Sequence, residues 1–211
     1  MKRIVFADPF RSYYHSNIRG NRLLALFALL LFAGIVTGAV CSRTADALTM
    51  KRLDIIFQTN FELRSTQGVL AAFVSSFASS VLFLLVLLLL GLSVWGGFIA
   101  AAVPFFKGYG YGLSVGFLYG AYGISGVFYN LLVILPGMFL SAAVISLAST
   151  LSLRNSLSMA ACFRRTPMIE DPHKLIKSYL LSMLRCLALC ALSAVIDMLC
   201  SLCFSRIFHF N

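Results

Sequence analysis

Charge is scarce in this sequence of 211 residues, and negative charge is scarcest, with seven Asp and Glu against 17 Lys and Arg. Charged residues make up 11% of the chain, whereas soluble domains carry about 25%. No charge occurs in 65–106 or in 108–153, and only Lys107 separates these two stretches. A soluble globular domain is therefore excluded, because it could not cover its surface with charged side chains.

Histidine is also scarce. The three histidines lie outside the apolar stretches or at their ends: His15, His173 and His209. This bears on Ser125, which stands in a G-x-S-G sequence at 123–126 that resembles the nucleophile motif of rhomboid intramembrane proteases. A serine nucleophile needs a base within hydrogen-bonding reach, and we expect none. Asp197 is the only acid within the apolar segments, which excludes an aspartyl dyad. We expect no enzyme activity.

The six cysteines do not have the pattern of a disulfide framework or of a metal site. Cys186 and Cys190 are four residues apart, and Cys200 and Cys203 are three apart, so each pair shares one helix face. No histidine accompanies them, and cysteine is a common small buried residue in apolar helices. We therefore expect no metal and no cofactor.

The net charge of +10 does not indicate nucleic-acid binding, because the basic residues flank the apolar segments and form no continuous stripe. Contact with anionic membrane lipids explains their distribution.

Hydrophobic residues are abundant: they make up 60% of the sequence, and its mean hydropathy is +0.93. Apolar runs longer than about 18 residues predict transmembrane helices. We expect an all-α integral membrane protein with about five transmembrane helices. The predicted segments are a basic tail (1–22), a first span (23–41), a polar loop (42–68), a glycine-rich core of three helices (70–150), a basic loop (151–178) and a last span (179–204).

The positions of Lys and Arg predict the orientation, because cytoplasmic segments carry the excess of positive charge. The tail and the loop 151–178 each hold five basic residues, which places both in the cytoplasm. An even number of passes must then separate them, and the first span plus three core helices satisfies this. The N-terminus is predicted to be cytoplasmic, and the loop 42–68 and the C-terminus are predicted outside. A turn at 121–126 separates the last two core helices.

Glycine recurs every four residues in the core, at Gly108, Gly112, Gly116 and Gly120, which puts these residues on one helix face. Gly34 and Gly38 repeat the spacing in the first span. Helices in lipid associate by close van der Waals approach, which small residues permit. We therefore predict that these glycines pack helices together. The pattern leaves open whether the contact is internal or joins two copies of the chain, with internal packing favoured.

Three charged residues lie within predicted spans: Lys107, Arg185 and Asp197. Lys107 either anchors a buried partner or extends its long side chain towards the membrane surface. Arg185 can reach the cytoplasmic surface, and Asp197 is the best candidate for a proton or cation relay. Proline removes a helical hydrogen bond, so we expect kinks at Pro104 and at Pro136-Gly137.

The central block, about 89–157, resembles the stage II sporulation protein M family. The resemblance rests on four short sequences: GLSV at 91–94, FFKG at 105–108, GLSVGFL at 112–118 and ILP at 134–136. The chain length, the single N-terminal span and the five-helix layout are similar too.

This resemblance implies a non-enzymatic scaffold in the mother-cell septal membrane of a sporulating bacterium. Such a scaffold holds two peptidoglycan hydrolases, an amidase/endopeptidase and a lytic transglycosylase-like protein, during engulfment. Lys51, Arg52 and Arg64 in the outer loop are our candidates for partner docking. The alternative is a small transporter, or a transporter subunit, that uses Asp197 and Lys107.

Overall fold

The computed structural model describes residues 17–44, 69–163 and 172–204. The described residues form helices and no strand, which confirms the all-α prediction. The elements are α1 (Asn17–Thr44), α2 (Val69–Leu92), α3 (Gly96–Ala100), α4 (Ala102–Tyr129), a π-helical turn (Asn130–Ile134), α5 (Leu135–Phe163) and α6 (Pro172–Phe204).

Three helical stretches in the described part of the chain are long and apolar enough to cross a membrane: Arg22–Thr44, Tyr122–Ala160 and His173–Cys203. A fourth apolar stretch, Ser76–Leu92, is shorter. The predicted number of about five spans is therefore too high. Length is one physical reason, because the apolar stretch Ser76–Leu92 is shorter than the about 20 residues that a span needs. Lys107 also interrupts the apolar sequence of α4.

A sharp turn at Gly123 divides α4, because this residue has φ 52 and ψ −129. A left-handed conformation of this kind is accessible to glycine without steric cost. Gly123 lies within the predicted turn at 121–126. The chain reverses there, since Asn130 then returns to contact Tyr119 and Ser141 contacts Tyr111. The first part of α4 is thus antiparallel to α5.

The other helices alternate in direction as well. Ser76 near the start of α2 contacts Asp197 near the end of α6, and Leu87 contacts Tyr179, so α2 and α6 are antiparallel. Leu87 and Gly91 of α2 contact residues 152 and 155 of α5 in the same order, so α2 and α5 are parallel. Two ends of the bundle result. We call the end that holds Leu92 and the start of α6 the α6-start end.

The main hydrophobic core lies between α2, α5 and α6, around Leu87, Ile145, Met183 and Cys190. Large apolar side chains also cover the outside of the bundle, as at Phe32, Phe98 and Phe139. Apolar residues on both the inside and the outside suit a protein whose solvent is lipid.

The predicted loop 151–178 and the prolines at 104 and 136 lie within or beside helices in the structure. Much of the predicted loop 151–178 is helical, since α5 continues to Phe163 and α6 begins at Pro172. Pro104 lies in the first turn of α4, where a missing N–H leaves no helical bond unmade. Pro136 follows the π-helical turn, in which the Asn130 carbonyl accepts from the Leu135 N–H.

Candidate functional site: the contacts inside the helix bundle

Five glycines bring α1 and α4 into backbone contact. A Cβ atom at Gly108 would overlap the carbonyl oxygen of Leu31, and one at Gly112 would overlap that of Ile35. The relation is reciprocal, because a Cβ at Gly34 would overlap the Phe105 carbonyl oxygen. A Cβ at Gly38 would overlap the Tyr109 carbonyl oxygen, and one at Gly116 would lie 2.9 Å from the Ser42 Cβ. The contact therefore lies inside one chain, and we call it the glycine contact.

Gly120 lies beyond this contact. It is exposed, and a Cβ atom there would meet nothing within 4 Å. Gly110, on another face of α4, also has open space around it. These two glycines show that spacing alone does not decide which members of a glycine-rich helix pack. The facing helix decides, and α1 reaches no farther than Gly116.

Lys107 is buried, with 6% of its surface exposed. Its ammonium group donates a hydrogen bond of 3.0 Å to the Ser79 hydroxyl of α2. The same group lies 4.8 Å from the centre of the Phe83 ring and 5.0 Å from that of Tyr111. Cation–π contacts of this kind stabilise a desolvated cation by about 2 kcal/mol. Lys107 is thus held by α2 and by its own helix, and it does not extend to the surface.

Asp197 is equally buried and belongs to α6. Its carboxylate accepts a hydrogen bond from the Ser76 hydroxyl of α2. Gly137 of α5 makes room for it, since a Cβ there would lie 2.7 Å from the Asp197 Cβ. One turn earlier on α6, the Ser193 hydroxyl donates to the Gly137 carbonyl oxygen at 2.9 Å. The absence of a side chain at Gly137 therefore lets α5 and α6 approach closely beside the buried carboxylate of Asp197.

The two buried charges each bind a serine of α2. Ser76 and Ser79 are three residues apart, so their side chains are neighbours on one helix face. One serine binds the Asp197 carboxylate and the other binds the Lys107 ammonium. We call this group of four residues the charged cluster.

A third set of contacts fixes the end of α2. Hydroxyl and amide groups of α5 donate to backbone carbonyls near that end: Ser152 to Leu87 at 2.9 Å, Asn155 to Gly91 at 2.9 Å, and Ser156 to Ser93 at 2.8 Å and to Val94 at 3.1 Å. The Ser156 hydroxyl also accepts from the Gly97 N–H at 2.9 Å. From α6, the Tyr179 hydroxyl donates to the Leu87 carbonyl at 2.9 Å. We call these residues the polar contact.

The polar contact provides hydrogen-bond donors at a place where the membrane provides none. Backbone groups at a helix end lack partners within the helix, and lipid offers none. The chain leaves helical geometry at Ser93–Trp95, directly after α2. Asn155 and Ser156 of α5 supply donors at this end, to the carbonyls of Gly91, Ser93 and Val94. Ser152 and Tyr179 bind the Leu87 carbonyl one turn earlier, inside α2. This role is not among the sequence predictions, which put 152–156 in a loop, although three hydrogen-bonding side chains within five residues are a recognisable signal.

The remaining predicted site residues are dispersed. Arg185 is exposed on α6, away from the buried face that holds Asp197. Lys51, Arg52 and Arg64 lie outside the described residues. Cys186 and Cys190 are buried in the main core, whereas Cys203 is exposed. Within the described ranges, no three residues of the types His, Cys, Asp and Glu gather as a metal site would require.

The comparison with protein families decides the assignment. The family model for Stage II sporulation protein M matches residues 26–201, which include α2 to α5 and most of α1 and α6. The chain belongs to the stage II sporulation protein M family. It is therefore a membrane protein of a sporulation-related family. The match includes the glycine contact, the charged cluster and the polar contact.

Neither the curated proteins nor the solved structures contain a significant match to this chain.

Proposed function

We propose that this protein is a non-enzymatic, multi-pass membrane scaffold that holds peptidoglycan-degrading enzymes at the septal membrane during engulfment. The family match over 26–201 is the observation that carries the proposal. On this view, the N-terminal tail is cytoplasmic, and the polar loop 42–68 faces the cell wall and binds the partners. The partners are an amidase/endopeptidase and a lytic transglycosylase-like enzyme.

The interior of the bundle supports a structural role. The polar groups of the polar contact are used to join α2 to α5 and α6. The glycine contact joins α1 to α4 through their backbones. Both kinds of contact favour a rigid frame. A rigid frame would hold the loop between α1 and α2 at a fixed position, as a scaffold requires.

Co-purification tests the proposal directly. The tagged full chain is crosslinked in sporulating cells, extracted in mild detergent and analysed for bound proteins. We expect both classes of peptidoglycan hydrolase, enriched relative to vegetative cells. A preparation from sporulating cells that contains neither class would contradict the scaffold.

The docking loop is tested by reversing its charges. The triple variant Lys51→Glu, Arg52→Glu, Arg64→Glu should insert into the membrane but lose both hydrolases. Arg206→Glu is the matched control, since this residue is predicted on the same side of the membrane but outside the loop. Retention of both partners by the triple variant would place docking elsewhere.

A second candidate function, transport, has one observation in its favour. The charged cluster puts Lys107 and Asp197 inside the bundle, each bound to a serine of α2. Buried ionisable residues within membrane helices often mark ion pathways. In a transporter, Asp197→Asn would abolish solute or proton flux in reconstituted vesicles. In a scaffold, the same variant would keep its partners and its engulfment activity, so the two assays separate the two functions.

A further inference from the structure

An apolar groove runs along the outside of the bundle between α2 and α6. Its volume is about 430 Å³, which lies within the about 300–1,000 Å³ that ligand sites occupy. Seven of the lining residues are apolar: Leu84, Leu88, Leu180, Leu181, Met183, Leu184 and Leu187. The eighth is Lys177. The groove is thus a hydrocarbon surface with one cation.

The position of the cation is informative. Lys177 precedes the apolar lining residues of α6 and so lies at one end of the groove, towards the α6-start end of the bundle. Tyr179, two residues later, bonds to the carbonyl of Leu87, which places Lys177 near the level where α2 ends. Trp95, with 79% of its surface exposed, follows α2 at that same end. Exposed tryptophan is typical of the headgroup region of a membrane.

The length of the groove matches one leaflet. Lys177 and Leu187 are ten residues apart on α6, which corresponds to about 15 Å along the helix axis. The hydrocarbon core of a bilayer is about 30 Å thick, so the groove extends to about its middle. A chain that lies in the groove would therefore have its polar end at Lys177 and its apolar end near the midplane.

The lining favours a hydrocarbon chain as the occupant. Seven of the eight lining residues present apolar side chains, and the one cation lies at the end of the groove. This arrangement matches a molecule that has a long apolar chain and an anionic head.

We propose that the groove between α2 and α6 is a binding site for an anionic phospholipid, with one acyl chain along the leucines and the phosphate at Lys177. Lysine binds phosphate as a point charge. Each basic residue near the membrane surface attracts anionic lipid by about 1 kcal/mol, which corresponds to about fivefold in affinity. The site goes beyond the scaffold proposal and does not depend on it.

Photo-labelling of the full chain tests the site. The protein is reconstituted in phosphatidylcholine vesicles that contain phosphatidylglycerol with a photoactivatable acyl chain, and the labelled peptides are identified by mass spectrometry. We expect labels within 84–88 and 180–187. Unlabelled phosphatidylglycerol should compete about five times better than phosphatidylcholine, because only the former carries a net negative charge.

Three variants make the test specific. Lys177→Gln should lose the preference for phosphatidylglycerol, whereas Lys177→Arg should retain it. Lys174→Gln removes an exposed charge one turn away that does not line the groove, and it should keep the preference. Leu184→Trp should fill the groove and reduce labelling without a change of charge. Gel filtration and thermal unfolding check that each variant is folded.

The proposal fails if phosphatidylglycerol and phosphatidylcholine compete equally for the label, since the groove would then hold bulk lipid only. It also fails if Lys174→Gln and Lys177→Gln have the same effect, which would indicate a diffuse attraction to the surface. Protection of 180–187 from the lipid probe by another protein, or by a second copy of this chain, would assign the groove to that partner.

Discussion

The bundle joins its helices in two different ways. In the glycine contact, α1 and α4 approach until backbone touches backbone, and the glycines contribute no side chain. In the polar contact, α2 meets α5 and α6 through hydroxyl and amide groups that bind backbone carbonyls. An added side-chain atom would disrupt the glycine contact, and the loss of a hydrogen-bond donor would weaken the polar contact. Both follow from the absence of a hydrophobic driving force between helices in lipid.

The two contacts also differ in their position along the bundle. The glycine contact lies towards the end of α1, at Thr44, where the predicted polar loop 42–68 begins. The polar contact closes the opposite end of the bundle, where α2 ends. The charged cluster has two residues from α2, one from α4 and one from α6. The two contacts can be distinguished by substitution, because each one requires different atoms.

The largest effect is expected from added atoms in the glycine contact. The double variant Gly108→Ala, Gly112→Ala should lower the free energy of unfolding by about 1–3 kcal/mol per site, because each Cβ would overlap a backbone oxygen that cannot move aside. Unfolding by SDS in mixed micelles measures it. Gly110→Ala is the matched control on the same helix. Open space surrounds Gly110, so alanine should be neutral or stabilising by up to about 1 kcal/mol. A loss for Gly110→Ala as large as the loss per site in the double variant would refute the assignment of Gly108 and Gly112 to the glycine contact.

The next effect concerns the charged cluster. A double-mutant cycle with Lys107→Met and Asp197→Asn should give a coupling energy of about 1–2 kcal/mol, since the serines that bind the two groups are neighbours on α2 and close sites couple. The same unfolding assay measures all four proteins. A cycle with Arg185→Met in place of Lys107→Met is the control, because Arg185 and Asp197 are about 18 Å apart along α6. Coupling near zero in the first cycle would mean that the two serines hold the charges independently.

A smaller loss is expected where a donor is removed from the polar contact. Ser156→Ala should cost about 1.5 kcal/mol, near the upper limit for membrane hydrogen bonds, because this hydroxyl binds three backbone groups. Ser146→Ala is its control on the same helix. Ser146 is buried too, but its hydroxyl donates to the Ala142 carbonyl of its own helix and, among the described residues, binds no other helix. Amide hydrogen exchange in 93–97 should rise in the first variant alone.

The smallest effect is expected at Tyr179. Tyr179→Phe keeps the ring and removes the hydroxyl that donates to the Leu87 carbonyl, so the loss should be about 0.6 kcal/mol, the average for such bonds in membranes. Tyr109→Phe removes a hydroxyl that bonds to the Cys41 sulfur at the exposed surface and should change nothing measurable. A lower midpoint of thermal unfolding for Tyr109→Phe than for Tyr179→Phe would contradict this ranking.

The sequence predicted some of these contacts more readily than others. A spacing of four residues puts Gly108 and Gly112 on one helix face wherever a helix forms, so this face can be read directly. Gly120 has the same spacing but is exposed, because the extent of contact depends on where α1 ends. Ser152, Asn155 and Ser156 look like loop residues in a sequence. Their partners are carbonyls about 60 residues earlier in the chain, and no local pattern reveals a carbonyl that lacks a donor.

The sequence by itself determined the class of this protein. Scarce charge, long apolar runs and a four-residue glycine repeat require helices in lipid, since each depends on composition or on spacing along a single helix. The motifs at 89–157 indicated the family, which the match over 26–201 then showed. Only the tertiary structure decided that α1 is the partner of the glycine face. It also decided that Ser76 binds Asp197 and Ser79 binds Lys107, and that α5 binds the end of α2. These pairings depend on the relative position of separate helices, which packing fixes after each helix has formed.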